Sequence, residues 1–127
     1  MFMKKVISLL ICMVIGIVTM SAQVRFSANA NVYKQDNNQK IGEQYIAANI
    51  NNGVGTMTLG SLTLKAVITN TMRDTYYKMT AYSATLYSHS GQTVDVAITI
   101  RDSGSGTVVV YYGDGPLRYD FSLQKKI

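Results

Sequence analysis

From Val24 onward the chain alternates apolar and polar residues with a period of two, and helical periodicity is nearly absent. Alternation sends successive side chains to opposite faces of an extended strand, so a chain written this way folds as sheet with one face buried. In the segment Thr93 to Arg101, Val94, Val96, Ile98 and Ile100 share one face, and Thr93, Asp95, Thr99 and Arg101 the other. Asp102 to Gly106 supplies a hairpin loop of Ser and Gly, and Thr107 to Tyr112 returns as a second strand. Gly113-Asp114-Gly115-Pro116 turns the chain again, and Leu117, Tyr119, Phe121 and Leu123 alternate along a last strand before a basic tail, Lys125 to Ile127.

The earlier segments follow the same grammar. Val24, Phe26, Ala28, Ala30 and Val32 make a first strand, and the Asn- and Gln-rich stretch Lys34 to Lys40 reads as a loop. Ile41 to Ile50 reads as a strand, with one helical turn at Tyr45 to Ala48 as its alternative. Asn51-Asn52-Gly53 is a turn, and Gly60 reads as a bulge or bend in a long run that Leu62, Leu64, Ala66 and Ile68 continue. Asn70 to Asp74 reads as another turn, Thr75 to Tyr87 as a bulged strand, and Ser88 to Gly91 as its close.

These segments amount to seven or eight strands on short loops, so the sheet is antiparallel. No loop is long enough for the crossover of a Greek key. The expected fold is therefore all-β, an antiparallel meander curled into a small closed or partly open barrel that removes its own edges. A β-sandwich of sequential hairpins is the alternative.

Ahead of the strands, Lys4-Lys5, an apolar run from Val6 to Met20, and the small pair Ser21-Ala22 make the three parts of a secretory signal peptide. The run falls short of the roughly 20 residues of a spanning helix. The expected organisation is a signal peptide over 1–22, cut after Ala22, and a single all-β domain over 23–127, with no stable membrane span after cleavage. The short leader has bacterial character and places the domain in the periplasm, at the cell surface or outside the cell. The sole cysteine, Cys12, lies in the leader behind a bulky Ile11, which does not suit lipid attachment. Residues 23–127 therefore form no disulfide and no cysteine metal site.

The whole chain carries a net charge of +5. Two of its lysines leave with the signal peptide, and the remainder is too small to imply nucleic acid. The one histidine, His89, sits in a Ser-His-Ser-Gly turn. Ser103-Gly104-Ser105-Gly106 lacks the leading glycine and the strand-turn-helix setting of a nucleophile elbow. Asp95, Asp102, Asp114 and Asp120 are spread over turns and outward strand positions, without the spacing of a calcium loop. The glycines form no phosphate-binding run. The expectation is a non-enzymatic domain without cofactor or metal.

All nine tyrosines fall after Gln23, and tryptophan is absent. Cross-strand packing accounts for many tyrosines in sheets. A tyrosine on an exposed strand face can also anchor a partner. Tyr76, Lys78, Thr80 and Tyr82 would share one such face, which makes Tyr76, Lys78 and Tyr82 the candidate binding residues for a protein or glycan at the cell envelope. The expected role is surface recognition or a structural accessory role at the cell envelope. The alternative is a lipocalin-like barrel binding a small ligand, its interior lined by Val96, Ile98, Val110, Tyr119 and Phe121 unless side chains fill it. An outer-membrane barrel would need aromatic girdles that the strands do not show.

Overall fold

The computed structural model describes residues 23–123; the leader, with its expected cleavage after Ala22, and the basic tail lie outside the described residues. Eight strands follow one another: β1 (Val24–Lys34), β2 (Gln39–Asn51), β3 (Val54–Leu59), β4 (Leu62–Asp74), β5 (Met79–Tyr87), β6 (Thr93–Arg101), β7 (Ser105–Tyr112) and β8 (Gly115–Ser122). Each pairs antiparallel with the next, and β1 pairs with β8, so the meander closes into a barrel and not into a sandwich.

Local chemistry explains the turns. Asn52 and Gly53 both adopt positive φ, 52° and 82°, in the two-residue loop between Asn51 and Val54. That is the requirement of a type I′ hairpin. Gly60, with φ 68°, opens the two-residue loop between Leu59 and Leu62. The long run around Gly60 is thus two strands joined by a tight hairpin, where sequence pattern suggested a bulge or bend in one.

Three other boundaries move. Lys34 to Lys40 turns at residues 35–38, while Lys34, Gln39 and Lys40 belong to the flanking strands β1 and β2. Asn70 to Asp74 continues β4 past a register shift at Ile68/Asn70, and the turn falls at 75–78. Ser105 and Gly106 begin β7 and do not belong to the loop. In the first two cases polar residues are held in sheet by a neighbour's ladder, because on an outward or overhanging strand polarity carries no penalty; Gly106 instead faces inward beneath the Phe121 ring.

Inward positions build one apolar core. Phe26, Ile46, Ile50, Met57, Leu86, Ile98 and Val108 are buried, as are the expected interior residues Val96, Val110, Tyr119 and Phe121. No charged or polar residue is buried among the described residues. The wall's outer face carries Arg25, Ser27, Asn29, Asn31, Asn49, Thr56, Lys65, Ser83 and Asp95, all exposed.

The closing seam is short: Asn31 to Lys34 of β1 face Asp120 to Leu117 of β8. Arg118 reinforces it from outside. Its Nη1 donates to Gln35 Oε1 at 3.3 Å, its Nη2 donates to Asn38 Oδ1, its Nε donates to Asp120 Oδ2 at 3.2 Å, and its guanidinium lies 4.6 Å from the centre of the Tyr33 ring. On the inner side Phe26 and Phe121 stack, 4.8 Å apart and 13° from parallel.

Candidate binding end of the barrel

A meander sends alternate turns to opposite ends. One end, here called the top, carries the turns at 35–38, 60–61, 88–92 and 113–114; the bottom carries those at 52–53, 75–78 and 102–104. β2 pairs with β3 only from Ile46 to Asn51, so its upper half overhangs the short β3–β4 hairpin. β6 and β7 pair only from Val96 to Ile100 and from Gly106 to Val110, so they part company above. These two departures from a full ladder leave the top of the barrel indented.

Beneath the β2 overhang lies a cleft of about 410 Å³ bounded by Ile41 to Gln44, Leu59, Leu62, Leu117 and Tyr119. Between the parted ends of β6 and β7 lies a second, of about 510 Å³, with Leu59, Leu64 and Leu86 beneath it and Ser88, His89, Gln92, Thr93 and Val94 on one side. Tyr111, Tyr112 and Gly113 line its other side. The two share Leu59, Leu62 and Tyr112. A third depression of about 450 Å³, beside Lys34, Asp36 and Asp114, also touches Tyr112 and Leu117. Leu62 is 50% exposed and Tyr111 52%, so apolar surface reaches the rim where water must be displaced to cover it.

The larger cleft has no Asp, Glu, Lys or Arg in its lining. Its loop is internally tied: Ser88 N donates to Gln92 O at 2.9 Å, Gln92 N donates to Ser88 Oγ at 3.2 Å, and Ser88 Oγ lies 2.9 Å from Ser90 Oγ. His89 is exposed at its edge. Among the described residues, no three of His, Cys, Asp and Glu gather as a set of metal ligands. The arrangement can hold an apolar molecule and offer it a few neutral hydrogen-bonding groups.

Tyr119 lies at the base of the smaller cleft, and burial, helped by the neighbouring Tyr112 phenol, pushes its pKa well above the ordinary tyrosine value of 10. The folded state therefore favours the neutral phenol. The associated stability is fully present below pH 10 and drains away as pH rises above that value toward the folded pKa. Urea midpoints measured from about pH 8 to about pH 11 should fall more steeply for the wild type than for Tyr119→Phe.

The candidate residues Tyr76, Lys78 and Tyr82 do not form one face. Tyr76 and Lys78 sit in the bottom turn that joins β4 to β5, outside the strand expected to carry them. Tyr82 points inward on β5 and packs against the core, and burial raises its pKa. Strand alternation cannot run through a turn, and here the turn is built by Asp74, whose Oδ1 accepts from the N–H groups of Tyr76 and Tyr77 at 3.0 Å each. Lys78 takes φ 54° to close it. Arg73 then braces the hairpin, its Nη1 and Nη2 donating to the two carboxylate oxygens of Asp102 at 2.8 Å each. The result is an exposed aromatic tip, Tyr76 83% and Tyr77 66% accessible, with the rings edge to face at 4.8 Å.

Sequence reading missed the top end. Its one signal was the doublet Tyr111-Tyr112, which breaks alternation at the end of β7 and puts consecutive aromatic rings beside a glycine turn. Comparison with known proteins returns no matching family model, no matching curated sequence and no matching solved structure.

Proposed function

We propose that this is an exported, non-catalytic binding domain that holds a small, largely apolar ligand at the top of its barrel. The observation that carries the reading is the pair of adjoining clefts, whose shared wall of Leu59, Leu62 and Tyr112 leads from exposed rim to buried core. Ligand sites are typically concave, mostly apolar and found at the mouths of barrels. Two further features support it: the larger cleft's lining has no Asp, Glu, Lys or Arg, and the outer face of the wall exposes Arg25, Asn29, Asn49, Lys65 and Asp95, charged and amide groups that a lipid-facing wall would not carry. The leader supports export.

Titration with the uncharged fluorescent dye N-phenyl-1-naphthylamine tests the reading. The wild type should bind it, and Leu62→Asp should weaken binding by about tenfold or more, because a carboxylate on that wall would be desolvated by the ligand. Tyr76→Ala, at the opposite end, should leave the affinity unchanged. Absence of saturable binding by the wild type would contradict the proposal.

A second reading is favoured by the tip at the bottom. Tyr76 and Tyr77 are the most exposed aromatic residues among those described, and their N–H groups are tied to Asp74 Oδ1. Exposed tyrosines on a hydrogen-bonded turn suit a protein partner at the cell envelope.

A further inference from the structure

We infer that the larger cleft takes an uncharged ligand carrying a hydrogen-bonding group, and that the ligand is admitted sideways through a fork in the barrel wall between β6 and β7. The inference rests on the ligand-binding reading above and specifies its access route and chemistry. Continued upward, the β6–β7 register would set Val94 opposite Tyr112 and Asp95 opposite Tyr111, yet the ladder stops at Val96 and Val110. Neither strand has frayed. β6 keeps its pairing with β5 as far as Thr93 opposite Tyr87, and β7 keeps its pairing with β8 as far as Tyr112 opposite Gly115. Both strands stay extended and held from behind while they separate from each other, so the opening is a feature of the wall and the cleft of about 510 Å³ lies within it.

The chemistry of the opening selects the ligand. Above Val96 and Val110 the β6–β7 ladder does not continue, so the backbone groups of these strands that face across the fork have no partner from the opposite strand there, and covering them without one would be costly. A hydroxyl, carbonyl or amide on the ligand supplies such a partner. Beneath, Leu59, Leu64 and Leu86 offer only apolar contact. A charged group seated there would lose its hydration with no countercharge in the lining.

The test uses the chain produced with its own leader and carrying Cys12→Ser, so that introduced thiols are the only ones. Val94→Cys combined with Tyr112→Cys places a disulfide across the fork. N-phenyl-1-naphthylamine serves as the uncharged probe and 1-anilinonaphthalene-8-sulfonate as its anionic counterpart. With the disulfide verified by mass, oxidation should slow association of the uncharged probe by about tenfold or more in stopped-flow fluorescence, and reduction should restore the rate. The sulfonate should bind the wild type at least about tenfold more weakly. Val94→Trp, which narrows the fork without thiol chemistry, should slow association likewise and serves if the cysteines do not join. Equal association rates in oxidised and reduced protein, an unslowed Val94→Trp, or preference for the sulfonate would overturn the inference while leaving the ligand-binding reading intact. A wild type that binds neither probe would overturn both.

Discussion

Phe121→Ala should destabilise the barrel by about 3–5 kcal/mol, the cost of deleting a buried aromatic side chain, from a total that in domains of this kind is about 5–15 kcal/mol. Three contacts meet at this ring. It stacks on Phe26 behind the closing seam, it lies over Gly106, where a Cβ would collide with its Cζ, and it belongs to the buried core. The seam itself has few ladder pairs, since β1 and β8 face each other only over Asn31 to Lys34. Side-chain packing therefore substitutes for hydrogen bonds in the lower half, and removing it should open the barrel where it is least tied. Urea unfolding followed by tyrosine fluorescence measures the loss. The same geometry predicts coupling: Gly106→Ala should be destabilising in the wild type and much less so beside Phe121→Leu, whose shorter side chain vacates the colliding position. Additive costs in that cycle would show that the ring is not what reserves the place for glycine.

Gly55→Ala should cost about 3 kcal/mol, at the upper end for overpacking. The reason is backbone, not side chain. A Cβ at residue 55 would collide with Asn49 O and come within 2.6 Å of Ile50 Cα, and neither atom can swing aside. Gly55 faces Ile50 one step from the Asn52-Gly53 turn, so the collision is with the backbone of the paired strand. A melting experiment on Gly55→Ala, with Gly113→Ala as a control where the Cβ meets nothing within 4 Å, separates this close approach from any general intolerance of alanine. Comparable losses in the two would contradict the account.

Much of the architecture was readable because one rule, period-two burial, operates along nearly the whole chain. β1, β6 and β8 present their apolar alternates inward as the pattern required, and short turns force an antiparallel meander. Boundaries were less legible where a strand overhangs its neighbour. The upper half of β2 and the lower half of β4 each lack a partner on the β3 side, so they carry polar residues that look like loop. The candidate site was harder still. Tyr76 and Tyr82 lie six positions apart, a spacing that shares a face only if no turn intervenes, and Asp74 makes that turn through backbone bonds that composition does not announce. The top clefts arise from where ladders stop, at Val96 and Val110 and at Ile46. Strand pairing is a relation between distant segments, and no local pattern in either strand states where it ends.

The central claim is that the top of the barrel is the binding end, and two-dimensional 1H–15N NMR of the protein titrated with N-phenyl-1-naphthylamine tests it most directly. Perturbations should concentrate at Gly60, Leu64, His89, Val94 and Gly113 and leave Thr75 to Lys78 unmoved. Shifts confined to the Tyr76–Tyr77 turn, or none at saturating probe, would contradict it.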